Sequence, residues 1–516
     1  MYRAVPDLLL YNANVITLDA LNPRFSWVAI SQGKIAAVGS GEPPREIVGR
    51  NVRAIDCQGG TLVPGFNDAH CHILATAASL LAVDCGPGAV SSIRDIGLRL
   101  RQRAERVSRD TWIRGTGYNE FYLLERRHPT RWDLDQWVPE HPVRLLHRSG
   151  HASVLNGRAL SLAGIHRDTP DPPGGVIERD ERTGEPTGLL LEMNDHLERA
   201  APPLSKMELD QGLGLFNQEC LRLGITSLQD ATPGNSPERW KLLADIKRRG
   251  LLTPSVTLMP GTDHIHPFLQ EGLGFGSGDS VLRVGAAKIM ATLTTGAIHP
   301  PLEEMQSLMG EAQDNGFQVA IHAVEAEVLE EAIEAMDCAV QMSGGGSRRH
   351  RIEHCSECPP HLVEKLARNG MVVVTQPGFL YYNGERYLAE VPIERQPWLY
   401  AIGSLMSAGV PLAFGSDSPV IPMNPLVGVY AAATRRSESG AAVLPEEAIG
   451  VEDAMRMYTL GGAYASFEEA SKGSIEAGKR ADLVLLDRDP IAVGAMEIKD
   501  IRVLITVVNG HVVWER

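Results

Sequence analysis

Residues 62–72, with the sequence LVPGFNDAHCH, decide the fold. An apolar start, Leu62 and Val63, leads into a polar end where His70 and His72 are separated by one residue. In a β-strand, residues i and i+2 project from the same face, so both imidazoles can reach one metal ion. Two histidines in a loop have the same spacing, so the pair alone is weak evidence for a metal site. The remaining strands have to supply the other ligands.

Three further segments end an apolar run with a residue of metal-ligand type. They are His322 in QVAIHAVEA, His354 in RIEHCSE and Asp417 in PLAFGSDSP. A single histidine in such a place is more often a core or surface residue than a ligand. Together with the pair at His70 and His72, however, four strands end this way in chain order. Because the carboxyl ends of parallel barrel strands meet at one face, the pattern predicts a shared metal site there.

Residues 61–470 alternate short apolar runs with helical periods, which predicts parallel strands joined by crossover helices. One such unit has Phe317, Val319 and Ile321 in alternation, followed by Val324, Val328, Leu329, Ala332, Ile333 and Met336 at helical spacing. A strand is likewise expected over residues 284–290, around Lys288. The predicted fold class is therefore α/β, a (β/α)8 barrel of the TIM type.

Both chain ends are predicted to be β-rich. Near the N-terminus, strands containing Val28 and Ile30, then Ile35 and Val38, flank a turn at Gln32 and Gly33. Near the C-terminus, residues 481–486 form a strand, and residues 503–508 and 512–514 flank Asn509 and Gly510. An Asn-Gly pair between alternating apolar residues is a strong signal for a two-residue hairpin.

Composition excludes several classes of function. The 516 residues carry a formal net charge of −15, which argues against general binding to nucleic acid or to anionic membranes. We find no apolar run of membrane-spanning length and no signal-peptide pattern at the N-terminus. Seven scattered cysteines do not indicate a disulfide framework. These features predict a cytoplasmic protein, and they leave a homo-oligomer open.

Taken together, these motifs resemble the amidohydrolase superfamily over nearly the whole chain. The matching elements are PGFNDAHCH (64–72), Lys288 in AAKIM, His322, His354, GSDSP (415–419) and GSIEAGKRADLVLLDRDP (473–490). Within it, residues 112–137 and 142–160 are similar to the N-substituted formamide deformylase-like branch. Many members of that branch carry Asp-Gly shortly after the strand-four lysine, whereas this chain has KIMATLTTG there.

The resemblance implies a domain plan and a ligand set. Residues 1–62 and 471–516 would form a small composite β-sandwich, and residues 63–470 the hydrolase barrel. Lys288 would be carbamylated and bridge two zinc ions. The alternative is one ion held by His70, His72, His322 and Asp417 beside an unmodified Lys288. Iron, manganese and cobalt suit the same ligands.

The implied reaction is cleavage of a C–N bond other than a peptide bond, in a small-molecule substrate that is an amide, an N-formyl compound or a cyclic amide. A metal-activated hydroxide would attack, Asp417 would shuttle the proton, and His151 would bind the substrate carbonyl or stabilise the oxyanion. Decarboxylation, isomerisation and deamination are alternatives on the same metal site, and a non-catalytic regulatory protein is a further one. Weaker candidates for the pocket lining are Tyr118, Glu120, Trp132, Asn156, Glu192, Tyr381 and Tyr382.

Overall fold

The computed structural model describes residues 6–45, 47–48, 52–342 and 348–516. The chain forms two compact units. The first unit comprises Met1–His72, Asn217–Ala291 and Pro300–Arg516, and the second comprises Ile73–Phe216 and Thr292–His299.

The strands, in chain order, fall into four groups. The first is β1 (Leu8–Tyr11), β2 (Asn14–Ile16), β3 (Arg24–Phe25), β4 (Trp27–Ser31), β5 (Lys34–Gly39), β6 (Arg53–Asp56) and β7 (Thr61–Pro64). The second is β8 (Phe66–Cys71), β9 (Val83–Asp84), β10 (Ile113–Tyr118), β11 (Val143–His147), β12 (Ala152–Leu155), β13 (Val176–Arg179) and β14 (Pro186–Leu191). The third is β15 (Ile225–Asp230), β16 (Ser255–Leu258), β17 (Leu282–Val284), β18 (Ala287–Met290), β19 (Val319–Ala323), β20 (Arg351–His354), β21 (Val372–Thr375) and β22 (Leu412–Phe414). The last is β23 (Leu483–Leu486), β24 (Val503–Val508) and β25 (His511–Glu515).

The helices alternate with the strands through the middle of the chain. The first eight are α1 (Ile73–Ser79), α2 (Ile93–Ala104), α3 (Arg131–Trp137), α4 (Gly157–Leu162), α5 (Asn194–Ala200), α6 (Lys206–Arg222), α7 (Pro237–Arg248) and α8 (Ile265–Gln270). The others are α9 (Leu302–Asp314), α10 (Ala326–Met342), α11 (Pro360–Arg368), α12 (Gly378–Glu390), α13 (Ile402–Ser407), α14 (Pro425–Thr434), α15 (Val451–Arg456) and α16 (Gly462–Ala465), with a π-helical turn over Met457–Gly461.

Two sheets of parallel strands form the centre of the first unit. One has the order β17-β16-β15-β8 and the other the order β18-β19-β20-β21-β22. All their neighbouring strands run parallel. Strands such as β15 and β21 are buried along their whole length, as expected for parallel strands covered on both faces. The predicted α/β class is confirmed.

The expected single strand over residues 284–290 is wrong in detail, because the structure divides it into β17 and β18, which belong to different sheets. The backbone N–H of Gly285 donates to Leu258 O at 2.7 Å, and that of Lys288 donates to Pro260 O at 2.8 Å. A Cβ on Gly285 would lie 2.7 Å from Cγ2 of Thr257. The chain therefore changes sheet at a point where only glycine fits.

The chain ends form two sheets, with the orders β5-β4-β1-β6 and β25-β24-β23-β7-β2-β3. Buried apolar side chains from both sheets belong to one core cluster, which includes Leu8, Leu10, Val28, Ile30, Leu62, Leu483, Leu485, Ile505 and Val507. Asn509 and Gly510 connect β24 and β25 with φ angles of 48° and 78°. Positive φ at both turn residues is the hairpin geometry that an Asn-Gly pair favours. The predicted hairpins are thus present at both ends.

The second unit contains one mixed sheet, β13-β14-β12-β11-β10-β9. Its strands β9, β10 and β11 run parallel, while β12 pairs antiparallel with both β11 and β14. Side chains from α2, α3 and this sheet form the core, among them Ile96, Leu100, Leu134, Val143 and Val154. The connection between β11 and β12, residues 148–151, places His151 at the end of two central strands of this sheet.

Within the first unit, the chain after β22 passes very close to β8. The backbone N–H of Asp417 donates to His70 O at 2.7 Å. A Cβ built on Gly415 would lie 2.6 Å from the backbone nitrogen of His70. No side chain fits between the two backbones at this point, so Gly415 is a packing requirement of the region that carries two of the predicted ligands.

None of the seven cysteines, all of which lie in the described part of the chain, forms a disulfide. Across the residues that the structure describes, no helix combines the length and the apolar character needed to cross a bilayer.

We expect Gly415→Ala to destabilise the protein by about 1–3 kcal/mol, because its methyl group would overlap backbone atoms that cannot rotate away. Thermal unfolding of both proteins measures the change. Gly310→Ala is the matched control, since a Cβ there meets no atom within 4 Å and lies inside α9. It should raise stability by up to about 1 kcal/mol. Equal unfolding midpoints for Gly415→Ala and the wild type would contradict the close approach.

Candidate metal centre

Three predicted ligands from separate strands of the first unit meet at one point. His70 lies in β8, His354 ends β20, and Asp417 follows β22. One ligand atom from each lies within 4.8 Å of the other two, and all three residues are buried. The structure therefore brings together two imidazoles and a carboxylate that lie far apart in the chain.

His72 joins this group through the same carboxylate oxygen that His70 faces. Nε2 of His72 lies 3.0 Å from Oδ1 of Asp417, and Nε2 of His70 lies 3.5 Å from it. The two histidines thus direct the same ring nitrogen toward one oxygen. Donors that converge in this way can bind a divalent cation, because neutral Nε2 and carboxylate oxygen are both ordinary ligands for such an ion.

The other ring nitrogen of each histidine is held by a partner outside the cluster. The contacts are His70 Nδ1 to Glu353 Oε2 at 2.5 Å, His72 Nδ1 to Thr232 Oγ1 at 3.0 Å and His354 Nδ1 to Gln376 Oε1 at 2.8 Å. Such partners fix the orientation of each ring and favour a proton on Nδ1, which leaves the Nε2 lone pair for a metal. The same arrangement at three histidines is the strongest local sign that they are ligands.

Glu353 is itself held by a buried arginine. Nε of Arg351 donates to Glu353 Oε1 at 2.7 Å, and Nη2 donates to the backbone oxygen of Ala69 at 2.9 Å. Burial raises the pKa of Glu353, but the charge of Arg351 and the hydrogen bond with His70 outweigh it and hold the pKa below its usual range. Glu353 is therefore ionised, and it lies on the Nδ1 side of the His70 ring.

The protonation states of the cluster suit a cation. Burial lowers the pKa of His70 to about 4 and that of His354 to about 3, so both rings are neutral near pH 7. Burial raises the pKa of Asp417, but the hydrogen bond with His72 and the nearby histidines hold it below the usual range. Neutral imidazole and ionised carboxylate are the forms that bind metal, so the donor set fits a divalent ion.

Lys288 lies in β18 and is buried, with 2% of its surface exposed. Among the described residues, its Nζ has no hydrogen-bond partner. Burial lowers its pKa to about 8, against the opposing effect of the Glu353 and Asp417 carboxylates. A buried amine without a partner is costly, and such a group calls for an explanation.

His322 lies in β19 beside His354, with the two ring centroids 4.3 Å apart. His354 in turn lies 4.8 Å from His70, measured between ring centroids. The rings thus form a row, although His322 is outside the group of three whose ligand atoms are mutually close.

Backbone strain coincides with the ligand positions. His354, Cys355 and Asp417 have φ angles of 73°, 51° and 58°, which place three non-glycine residues in the left-handed region. Residues of this kind cost about 1–3 kcal/mol each and concentrate at functional sites. The chain accepts this cost at two of the predicted ligands, one at the end of β20 and one in the segment after β22.

The remaining predicted residues lie elsewhere. His151 is in the second unit, where its Nδ1 lies 2.8 Å from Glu192 Oε1. Asn156, also in that unit, has a structural role: its side chain caps α4 and donates to the backbone oxygens of Val138 and His141. Tyr381 and Tyr382 lie in α12 of the first unit with their rings edge to face.

The other three candidates, Tyr118, Glu120 and Trp132, belong to the second unit. Tyr118 is fully buried and its hydroxyl lies 3.0 Å from Nδ1 of His128, while Glu120 pairs with His147 at 2.9 Å. The side chain of Trp132 is exposed on α3, beside the guanidinium of Arg131.

Sequence reasoning missed the residues behind the ligands, namely Glu353, Arg351, Thr232 and Gln376. A usable signal existed for two of them. Arg351 and Glu353 alternate in RIEH, within a strand that the pattern predicts to be buried, and charged residues are rarely buried unless they are paired. Thr232 and Gln376 follow their strands in the manner of ordinary loop residues, so only the structure shows their contacts.

A buried group of imidazoles and a carboxylate at the carboxyl ends of parallel strands defines the class of metal-dependent hydrolases with an α/β fold. The chain belongs to the amidohydrolase family, whose sequence model matches residues 53–514. It is accordingly an enzyme that acts on carbon–nitrogen bonds.

Similar proteins cover essentially the whole chain. An N-substituted formamide deformylase of Arthrobacter pascens is 31% identical, over 99% of this chain and 98% of its own. A putative amidohydrolase of Bacillus subtilis (strain 168) is 29% identical, over 97% of this chain and 98% of its own. The crystal structure of an uncharacterized metal-dependent hydrolase from Pyrococcus horikoshii OT3 matches with a TM-score of 0.76 at 25% identity, covering 95% of this chain and 99% of that one.

We expect Thr232→Val to weaken metal binding about 10-fold or more, since His72 would lose the oxygen that orients its Nδ1. Competition for the metal with a chelator measures the change. Thr253→Val, a substitution of the same size outside the cluster, should bind metal as the wild type does. Equal affinity in Thr232→Val and the wild type would show that the Thr232 contact does not support a ligand.

Proposed function

We propose that the protein is a metal-dependent hydrolase that cleaves a C–N bond of a small amide, N-formyl or cyclic amide substrate, with Asp417 as the proton shuttle. The observation that carries the proposal is the convergence of Nε2 from His70 and His72 on Oδ1 of Asp417. Both imidazoles are oriented from behind, so the donors are positioned before any ligand binds.

The fold that we propose for this site is a closed (β/α)8 barrel, with the terminal sheets as a β-sandwich. Two contacts support closure of the parallel sheets. The hydrogen bond from Asp417 N to His70 O links the region after β22 to β8, and that from Lys288 N to Pro260 O links β18 to the segment after β16. The core cluster shared by the two terminal sheets supports the sandwich.

The residues proposed to hold the metal are His70, His72, Lys288, His322, His354 and Asp417. Zinc is the proposed ion, and iron, manganese or cobalt suits the same nitrogen and oxygen donors. A bound divalent ion lowers the pKa of a coordinated water and polarises the scissile carbonyl.

Asp417 is the proposed proton shuttle. Its carboxylate is ionised and lies among the histidine ring nitrogens, so it accepts the proton of the attacking water. It then returns that proton to the leaving nitrogen. His151 is proposed to donate a hydrogen bond to the developing oxyanion of the substrate.

Lys288 is proposed to be carbamylated. Its neutral amine nitrogen would attack carbon dioxide and form an N–C bond while one C=O π bond opens to a carboxylate oxygen. The nitrogen would then lose a proton to water, which leaves a carbamate. The support is geometric: Nζ is buried and has no hydrogen-bond partner among the described residues. The carbamate would supply two oxygens as metal ligands, whereas an ammonium would repel a cation.

A small acyl group and an amine leaving group are the proposed features of the substrate. They are motivated by the relative from Arthrobacter pascens, which is a deformylase of N-substituted formamides. The segment after Lys288 lacks the Asp-Gly pair that many members of the formamide deformylase-like branch carry. A substrate screen therefore has to determine the substituent on nitrogen.

The proposal is tested with a panel of N-formyl, N-acyl and cyclic amides, with metal analysis of the same preparations. Release of amine from at least one N-formyl or N-acyl compound is expected. Turnover restricted to esters, to carbon–carbon bonds or to amidine deamination would exclude the proposed reaction.

Asp417→Asn should lower turnover of the substrate found in that panel by about two to four orders of magnitude, because the amide cannot accept a proton. Metal content should fall less than activity, since the amide oxygen remains a weak ligand. Near wild-type turnover would show that another group moves the proton.

Lys288→Ala should lose metal and activity together, with partial recovery when a short carboxylic acid is added in place of the carbamate. Lys247→Ala is the control: Lys247 is a half-buried lysine that donates to three backbone oxygens, so added acid should not affect that variant. Labelling with 13C carbon dioxide and NMR detects the carbamate directly. Active enzyme with one metal per chain and an unmodified Lys288 would leave the single-ion alternative.

A further inference from the structure

Gln229 lies near the end of β15 and is buried, with 1% of its surface exposed. Its side-chain oxygen, Oε1, accepts a hydrogen bond from Nη1 of Arg351. Its side-chain nitrogen, Nε2, donates to Gly462 O at 2.7 Å and to Oδ1 of Asn67 at 3.3 Å. This one amide therefore connects four segments that lie far apart in the chain, namely β8, β15, β20 and the start of α16.

The partners of Gln229 determine which way its amide points. A guanidinium can only donate a hydrogen bond, and a backbone oxygen can only accept one. The amide oxygen therefore has to face Arg351, and the amide nitrogen has to face Gly462. The reversed amide would set donor against donor and acceptor against acceptor, in a buried place where unmade hydrogen bonds are costly. Gln229 is thus held in a single orientation.

Arg351 connects this amide to the candidate metal centre. Its Nε donates to Oε1 of Glu353 at 2.7 Å, and its Nη2 donates to Oε2 of the same carboxylate at 3.1 Å. Oε2 of Glu353 also lies 2.5 Å from Nδ1 of His70. A continuous series of contacts therefore runs from Gln229 through Arg351 and Glu353 to the ring of a proposed ligand. Each contact includes a charged group, which strengthens the hydrogen bond.

The guanidinium of Arg351 transmits the position of Gln229 because it is planar. Its donors form a fixed fork, so a partner at one nitrogen restricts the directions of the others. Gln229 holds Nη1, while Glu353 is met by Nε and Nη2, and Ala69 O by Nη2 at 2.9 Å. The amide therefore sets the plane in which the guanidinium meets the carboxylate.

The carbonyl that orients Gln229 follows a π-helical turn. The turn spans Met457–Gly461, and Gly462 is the next residue. A Cβ on Gly461 would lie 2.4 Å from Leu412 O, and one on Gly462 would lie 2.8 Å from Cγ of Asn67. Turns of this kind are rare and are often found at functional sites. The turn thus packs closely against β22 and β8, which fixes the oxygen that Gln229 contacts.

We infer that Gln229 is a positioning residue for the metal centre, which acts on His70 through Arg351 and Glu353. The inference rests on the proposed function, in which His70 is a metal ligand. Gln229 fixes the plane of the guanidinium, and the guanidinium fixes the carboxylate. The carboxylate in turn fixes the direction of the His70 ring, and a ligand that is oriented in advance binds metal more tightly.

The test measures binding of zinc alone to the full-length protein, by competition with a chelator. Gln229→Met keeps the length of the side chain and removes its hydrogen bonds, and it should weaken zinc binding about 10-fold or more. The matched control is Gln318→Met. Gln318 is also buried, and its Nε2 donates to the backbone oxygens of Arg349 and Ala465 at 2.6 and 3.0 Å. This control should lose stability as Gln229→Met does but keep wild-type affinity for zinc.

Gln229→Asn covers the case in which Gln229→Met does not fold. It keeps a polar amide in the core but is one methylene shorter, so the direct contact with Arg351 is lost. Its zinc affinity should also fall below that of the wild type. Wild-type affinity in either Gln229 variant, or an equal loss in Gln318→Met, would overturn the inference.

A double variant tests the route of the effect. If Gln229 acts through Glu353, adding Gln229→Met to Glu353→Gln should cause no further loss of zinc affinity. Two losses that multiply in the double variant would overturn this route. The proposed function fails by a different result: unchanged zinc affinity in His70→Ala would show that His70 is not a ligand, and the inference would fall with the metal site. A loss in His70→Ala without one in Gln229→Met would overturn the inference alone.

Discussion

The contact between Glu353 and His70 is the interaction on which the candidate metal centre depends. A fully buried carboxylate lies 2.5 Å from Nδ1 of the imidazole, and Arg351 supports it from the other side. Removing either Glu353 or Arg351 would leave the other as an unpaired charge in the core, at a cost of several kcal/mol. Because Arg351 also donates to Ala69 O, the same chain of contacts fixes β20 against β8. The same contacts therefore orient the His70 ring and hold β20 against β8.

The backbone at the candidate ligand positions is strained, although the side chains are well supported. His354 and Asp417 both have positive φ angles, and Gly415 must be a glycine for the chain to pass His70. Strain of this kind persists only where surrounding contacts determine the conformation. The hydrogen bonds behind the three histidines are such contacts. A site built in this way is positioned before ligand binding, which is what a reaction that relies on orientation requires.

The second unit uses the same principle with different residues. Glu192 holds His151 as Glu353 holds His70, by a carboxylate on Nδ1. The difference is burial: His70 is enclosed, whereas 29% of the His151 side chain is exposed. The two pairs of the same residue types therefore differ in how far water reaches the ring.

The sequence by itself determined the α/β class, the β-rich ends and the residues at the strand ends, because strand and helix periods and turn chemistry are local properties. It placed His70, His72, His322, His354 and Asp417 where strands finish. It did not show the break between β17 and β18, since that depends on the approach of Gly285 to Thr257 in another strand. Nor did it identify Glu353, Thr232, Gln376 and Glu192 as partners of particular histidines. Only the tertiary structure decided those contacts, because a hydrogen bond depends on distances of about 3 Å between groups that the chain separates by many residues.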